Sequence, residues 1–378
     1  MASSYKTFST NDVVSTKTLL HEAIPLTGTV VSGTYVDGAT ETNIKNYSHG
    51  MFQSVYDYPY LSSSANHIFD ITIGYNAGSK MSNPAHTQNA KKLNLYNQMA
   101  QVLVGHDSDG NIRAFDEDGN LTEGSKINSA IFLNFSRLLT KDEIKKGSFS
   151  LVMAVGQGHE KAASHTEQIT ITDDNAQNDY RVNSPAGDYA ILYADSTKGS
   201  DLLADDSGDQ KVGLIYYHAG VVVLTSSIFL DENTGDLGGA HVGILDTLKH
   251  DVEFFRAGAG ATGYESLPEA FTGSAISSSC DAIRQRISNI SFNNTTELNS
   301  TIYFCRAQHN EFNYSSNPTY TSSSKIQVKN ISSDSPISYI TTVGLYSSDN
   351  ELMAVAKLSE PLKKDPTNEL TLRVRLDY

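Results

Sequence analysis

The decapeptide ELTLRVRLDY, residues 369–378, alternates apolar and polar side chains without a break. A period of two marks a strand with one face packed and one wet, and a slip of one residue would exchange the faces. The pattern sends Leu370, Leu372, Val374, Leu376 and Tyr378 inward and Glu369, Thr371, Arg373, Arg375 and Asp377 outward. Five inward side chains at roughly 1.5 to 3 kcal/mol each, if fully buried, exceed what a dispensable tail contributes, whereas an undocked terminus frays. This terminus is therefore expected to be structural sheet. Just upstream, ITTVGLY, SSDN and ELMAVAKL read as strand, four-residue turn and strand. In the second arm Leu352, Ala354, Ala356 and Leu358 face one way and Met353, Val355 and Lys357 the other, so the arm is expected to be central or covered. Pro361 and Pro366 are expected to interrupt the ladder before the last strand.

Similar short runs, rich in β-branched and aromatic residues and fenced by Gly, Asn, Asp or Ser, predict strands at 67–75, 130–135, 148–155, 168–172, 189–194 and 300–307. KVGLIYYHAGVVVLTSSIFL (211–230) is the longest apolar stretch; His218, Ala219 and Gly220 divide it into two buried strands around a tight turn. Three helices interrupt the sheet. Asn83 and Pro84 supply a cap and first turn for a helix carrying Leu93, Tyr96, Met99, Ala100 and Leu103 before Gly105. TKDEIKKG (140–147) has a capping box, Thr140 with Glu143, and predicts a one- or two-turn connector. Ile276, Cys280, Ile283, Ile287 and Ile290 form one apolar stripe, which either packs on the chain's own sheet or serves as a coiled-coil seam. The expected fold is mainly β, in β-sandwich-like modules with a few short-to-medium helices, α+β overall.

The chain has 378 residues, enough for several domains. Polar stretches at 195–210 and 231–240 read as loops and 313–324 as a linker. Four segments are expected: an N-terminal β segment 1–80, a central α+β domain 81–240, a helix-containing region 241–315 and a C-terminal β-meander 316–378. Cys280 and Cys305 are the only cysteines and are expected reduced and buried, without a disulfide framework. No secretion signal or membrane-length apolar run is present, so synthesis and retention in a cytosol are expected. A net charge of −15 with dispersed basic residues opposes a grip on phosphates, which makes nucleic acid a poor partner. Asn-x-Ser/Thr triplets recur, but Asn134 lies inside the strand AIFLNF, where a glycan has no room, so the triplets reflect composition. Twenty tyrosines and abundant hydroxyl and amide side chains suit broad, partly hydrated contacts.

Motifs that could carry chemistry break down at specific positions. Asp107, Asp109 and Asn111 match the first ligands of an EF-hand loop, but the glycine position holds Ile112 and the closing glutamate position holds Asp118. Turns at the two Asp-Gly pairs around a short strand are expected there instead. Gly258, Gly260 and Gly263 have dinucleotide-fingerprint spacing, yet Pro268 falls where the phosphate-binding helix should propagate, which favours a loop. His159 and Glu160 would need a second His at 163, which is alanine, and His165 is out of register. No G-x-S-x-G elbow occurs, and neither cysteine has a nucleophile's local signature. The expectation is a non-enzyme with no catalytic, cofactor-binding or metal residues and no cofactor.

TTVGLYSSDNELMAVAKLSEPLKKDP with the ending RVRLDY resembles the C-terminal module of virion structural proteins from contractile-tailed bacteriophages, particularly those of marine and cyanobacterial hosts. VGLIYYHAGVVVLTSSIF, RVNSPAGDYAILY, FLNFSRLLTKDEIKKGSFSL and NAKKLNLYNQMAQVLVG look like further blocks of that family, so the resemblance spans most of the chain. It implies a virion subunit assembled in the host cytoplasm, in the baseplate or an adjoining tail or neck element, present in symmetric copies and contacting other virion proteins. A capsid decoration or neck protein is the nearest alternative; a virion-associated carbohydrate-binding or depolymerising protein is the alternative from another class.

Overall fold

The structure, a computed structural model of the chain, describes residues 5–24, 42–119, 125–136, 143–156, 158, 168–194, 210–229, 252–256, 263–264, 266–314, 321–322, 325–326, 333 and 336–377. The strands are β1 (Val13–Ile24), β2 (Ile44–Asn46), β3 (Gln53–Tyr56), β4 (His67–Tyr75), β5 (Phe115–Asp116), β6 (Lys126–Ile127), β7 (Ser129–Asn134), β8 (Glu143–Ile144), β9 (Ser150–Ala154) and β10 (Gln168–Thr172). They continue with β11 (Tyr189–Ala194), β12 (Gln210–Tyr216), β13 (Val221–Thr225), β14 (Ile287–Ala307), β15 (Thr321–Ser322), β16 (Lys325–Ile326), β17 (Ser338–Tyr346), β18 (Leu352–Lys364) and β19 (Leu370–Asp377). The helices are α1 (Asn89–Leu103), α2 (Leu267–Thr272) and α3 (Ile276–Arg284). The fold is mainly β with large antiparallel sheets, α+β overall.

The chain divides into two compact units, one of residues 21–296 and one of residues 1–20 with 297–378. This division differs from the four segments expected from composition. Position 80 does not separate domains, because β4 pairs with β7 along six residues, Asp70–Tyr75 against Ser129–Asn134. Nor does position 240, since β9 takes the start of β14 as a neighbour, Ile290 opposite Leu151.

In the larger unit the strand order is β14-β9-β10-β11-β12-β13-β7-β4-β3-β2, antiparallel at every pairing, with β8 also paired to β14. The β12–β13 hairpin turns at Gly220, whose φ of 63° is the left-handed conformation a tight turn asks for. All of VVVLT in β13 is buried, as a continuous apolar strand covered on both faces must be. On one face α1 and the β5–β6 pair enclose Tyr96, Phe115, Phe132, Tyr189 and Tyr216. On the other, Phe135 meets Phe69 at 6.0 Å, Phe149 at 6.1 Å and Phe292 at 5.4 Å between ring centroids. Side chains flanking β4, β7, β9 and β14 thus share one core, so the sheet curls upon itself, and α3 lies in that core with the Cys280 thiol donating to the Ile71 carbonyl. Helix α1 crosses β4 closely: a Cβ on Gly74 would stand 2.8 Å from the Lys92 carbonyl oxygen.

Three helical expectations change. Helix α1 begins at Asn89, five residues beyond Pro84, because Asn83 builds a turn instead: its Oδ1 accepts the Ala85 N–H and its carbonyl the His86 N–H. Gln88 then adopts φ 54°, and its Oε1 accepts the Ile276 N–H at the start of α3. Residues 143–147 are no helix; β8 pairs Glu143 and Ile144 with Thr295 and Asn294, while Thr140 lies outside the described residues. The apolar stripe is split: Ile276, Cys280 and Ile283 lie on α3, whereas Ile287 and Ile290 already belong to β14, and all five are buried in the unit's own core. Helix α2, which the sequence reading missed, is six residues capped by the Ser266 hydroxyl, with Pro268 in its first turn rather than breaking a longer helix.

In the smaller unit, β14 has β1 on one side and β19 on the other. Residues Ser300–Ala307 pair with Asp377–Leu370. The alternation in β19 holds: Val374 is 8% exposed, Leu370, Leu372 and Leu376 are half-buried, and Thr371, Arg373, Arg375 and Asp377 are exposed. Tyr378 lies outside the described residues. Cys280 is buried and Cys305 is half-buried, both free. The β17–β18 hairpin forms around a turn in which Ser347 N–H donates to the Glu351 carbonyl. Pro361 does not end β18; the ladder skips from Thr342 opposite Lys357 to Ile340 opposite Leu362, so Pro361 falls in a bulge that needs no N–H. The expected linker 313–324 ends in a two-residue strand, Thr321–Ser322 against Lys325–Ile326. The loop stretches at 195–209 and 231–240 lie outside the described residues.

Candidate functional site

Two groups of polar side chains have residue types that could do chemistry, and the sequence reading singled out neither as a group. The first joins β3 and β4. The Ser54 hydroxyl donates to Asp70 Oδ1, and His67 Nε2 lies 2.7 Å from the same oxygen. The Tyr47 hydroxyl is 3.1 Å from Ser54 Oγ. Serine, histidine and aspartate are the components of a nucleophilic triad, but the order is wrong. A triad needs the imidazole between hydroxyl and carboxylate to carry the proton; here the carboxylate is the hub and the Ser54 hydroxyl is buried. The arrangement ties two strands together by their side chains and has no exposed nucleophile.

The second group surrounds Glu143, which β8 buries. Its Oε2 is 3.3 Å from His218 Nε2, and Lys146 Nζ is 3.8 Å from Oε1 and 2.9 Å from Asp188 Oδ2. The ammonium lies over the rings of Tyr180 and Tyr217 at 4.9 and 5.3 Å. The Tyr217 hydroxyl donates to Asp173 Oδ2 at 2.7 Å, and Asp173 also accepts the N–H groups of Gly147 and Phe149, both at 2.8 Å. Burial pushes the Asp173 carboxyl above its ordinary range, against the pull of these donors, and burial likewise pushes the Tyr217 hydroxyl up. With Lys146 between Glu143 and Asp188, the two carboxylates are balanced by a cation inside the chain. A glycosidase pair instead flanks an open substrate position. This network fastens the turn at residues 145–149 to Tyr217, the residue that follows β12.

Two buried cations have similar roles. Lys92 Nζ donates to the carbonyls of Thr87 (2.9 Å), Ser274 (2.8 Å) and Phe271, closing the end of α2 against α1; burial holds its pKa down to about 8. Arg286 donates to the carbonyls of Ala154 (3.3 Å), Gly156 (2.7 Å), Gly158 (2.6 Å) and Glu253, with its guanidinium 5.0 Å from the Phe254 ring centre. Burial lowers its pKa to about 9. Both satisfy backbone oxygens that would otherwise be stranded away from water.

The residues weighed for cofactors do not converge. Asp107 accepts the N–H groups of Asp109 (2.9 Å) and Asn111 (2.8 Å), so the loop at 107–111 is closed by its own backbone. These donors lower the Asp107 pKa, the Asn111 N–H most. Phe115–Asp116, not 111–115, forms the short strand there. His159, Glu160, His165, Gly258 and Gly260 lie outside the described residues. Among the described residues no three His, Cys, Asp or Glu side chains are placed to hold a metal, and no helix is long and apolar enough to cross a membrane.

The surface is more distinctive than the interior. The second hairpin arm, expected to be covered, is open: Leu352 is 52% exposed, Met353 70% and Val355 50%, with Tyr339 and Tyr346 of β17 also exposed. Lys364 and Ser338 tether the hairpin's base, through Lys364 Nζ to Asn313 Oδ1 at 2.7 Å and Ser338 Oγ to the Phe312 carbonyl. Tyr5 lies 4.7 Å from Tyr346. A two-stranded ribbon with apolar side chains in water is a surface that another chain can cover. The smaller unit carries ten basic and ten acidic residues, so the whole net charge of −15 resides on residues 21–296.

Comparison of the chain with protein-family models, curated proteins and solved structures finds no match.

Proposed function

We propose that this chain is a structural subunit of a contractile-tailed bacteriophage virion, in the baseplate or an adjoining tail or neck element, working through symmetric protein–protein contacts. The observation that carries the reading is the open β17–β18 ribbon, whose apolar side chains stand in solvent on a neutral unit while the chain's polar clusters are spent on internal ties. Exposed apolar side chains concentrated on one firmly tethered hairpin suit a contact surface better than a substrate cleft. The resemblance of the C-terminal words to phage virion proteins supplies the setting. The chain is accordingly not an enzyme and needs no cofactor. Its net charge disfavours nucleic acid as a partner. Purified particles analysed by mass spectrometry are expected to contain the chain in stoichiometric amount, and the isolated chain is expected to leave host envelope polysaccharide intact. Specific sugar binding or hydrolysis by a chain that particles lack would favour the carbohydrate-acting alternative.

A further inference from the structure

Among the described residues β19 pairs only with β14, so its outer edge presents backbone donors and acceptors with no strand beside them. The edge is regular: Leu370–Asp377 match Ala307–Ser300 one for one, without a bulge. The packed side of the strand is incompletely covered, since Val374 is buried but Leu370, Leu372 and Leu376 are only half-buried. A further strand beside β19 would cover that row. On the solvent face Arg373 and Arg375 stand opposite Phe304 and Ile302, with Arg306 two residues further along β14, and all three arginines are exposed. Arg306 is paired with Asp12 at 2.7 Å and Arg375 with Asp377 at 2.6 Å, whereas Arg373 is in no ion pair among the described residues.

We propose that the outer edge of β19 takes up an amphipathic acidic strand from a partner chain, with apolar residues beside Leu372, Val374 and Leu376 and carboxylates beside Arg373 and Arg375. A strand added to an edge gains main-chain hydrogen bonds, and its alternate side chains supply the specificity. Opposite charges and apolar pairs across the ladder favour it, and like charges oppose it. Guanidinium groups suit carboxylates in particular, because their planar fork can donate two parallel hydrogen bonds. Charges on an edge also repel unwanted strands, and here they choose among occupants. An antiparallel β19 from a second copy, with its apolar side matched, sets Arg373 opposite Arg375 twice when centred on Val374. Centred on Arg373 or Arg375, it sets that arginine against itself, and parallel pairing in register does so at both positions. Sliding the centre back to Leu372 brings Arg375 opposite Glu369, but Glu369 lies before β19 and is already beside His309 at 3.4 Å. A strand with carboxylates on its solvent face meets none of these conflicts.

The edge names the chemistry of one partner in the assembly reading and rests on that reading for the partner's presence. Fluorescence anisotropy tests it, with the full chain and two labelled peptides, one alternating valine with glutamate and one alternating valine with lysine. The glutamate peptide is expected to bind the wild type roughly tenfold more tightly than the lysine peptide, and to weaken as salt rises. The double variant Arg373→Glu, Arg375→Glu is expected to reverse the preference. Methylating the central backbone nitrogens of the glutamate peptide removes its ladder donors and is expected to abolish binding, which attraction between charges alone would not show. Circular dichroism and melting check that the variant, altered only at exposed positions, keeps its fold. A glutamate peptide that does not bind the wild type, equal binding of the two peptides, an unreversed preference in the folded variant, or undiminished binding of the methylated peptide overturns the proposal. A wild type that sediments as a dimer broken by Glu369→Arg assigns the edge to a second copy and overturns it as well. The expected peptide pattern in a chain that purified particles lack upholds the edge and overturns the assembly reading. Particles that contain the chain, together with a glutamate peptide that fails to bind, overturn the edge alone.

Discussion

Replacing Val374 by Asp, beside Arg373 by Asp as its neighbour on the other face, tests the period-two reading of the last strand at single-residue resolution. Val374 is 8% exposed and stands opposite Tyr303 on β14, whereas Arg373 points to solvent opposite Phe304. Losing a nearly buried valine costs about 1.5–2 kcal/mol of apolar burial. Placing an unpartnered carboxylate there adds roughly 1–3 kcal/mol. The sum, about 2.5–5 kcal/mol, is a large share of the roughly 5–15 kcal/mol that holds an ordinary domain together. Arg373→Asp removes no packed surface, and its effect is expected within about 0.5 kcal/mol. Equilibrium denaturation followed by circular dichroism reads both variants against the wild type. Equal destabilisation by the two, or a tolerant Val374→Asp, would refute the reasoning that this strand has one packed face.

Among the described residues, deleting 369–378 leaves β14 in the smaller unit with only β1 beside it, fewer strands than a free-standing sheet needs; an insoluble product is expected, and soluble, cooperatively unfolding protein would contradict this. Arg286→Leu strands the buried carbonyls of Ala154 and Gly156, and thermal denaturation is expected to show a loss of about 2–4 kcal/mol. Lys92 has a folded pKa of about 8 against an ordinary 10.5, so between those values the unfolded chain holds the extra proton and stability rises with pH. The stability difference between wild type and Lys92→Met is therefore expected to widen from roughly pH 7.5 to 9.5, below the range where Tyr75, pushed up by burial to about 12, contributes; an unchanged difference would remove Lys92 as the cause. Calcium and a chelator are both expected to leave the melting temperature unchanged, because Asp107 already accepts backbone N–H groups.

Strands were legible where the pattern is local. QITIT, YAILYA and the 211–225 hairpin fall where β-branched runs and turn residues place them. Helix starts were less so: Asn83 and Pro84 carry a cap signature that a tight turn uses equally well, and only the contact of Gln88 with Ile276 N–H shows where α1 begins. The stripe from Ile276 to Ile290 kept its burial but changed element at Arg284, since a three-four spacing does not reveal that the chain straightens into a strand. Exposure of Met353 and Val355 was misread because both faces of that arm are apolar, and alternation is silent about whether anything covers them. The polar clusters were illegible in sequence: Ser54 with Asp70, and Lys146 with Asp188, meet only after strands and turns are paired.

A reconstruction of purified particles at side-chain resolution tests the central claim most directly, that this chain works by offering surfaces to an ordered assembly. The account predicts symmetric copies in the tail, baseplate or neck, with the exposed β17–β18 ribbon covered by a neighbouring chain. Particles complete without any density for this chain, together with turnover of an envelope polymer by the isolated protein, would contradict it.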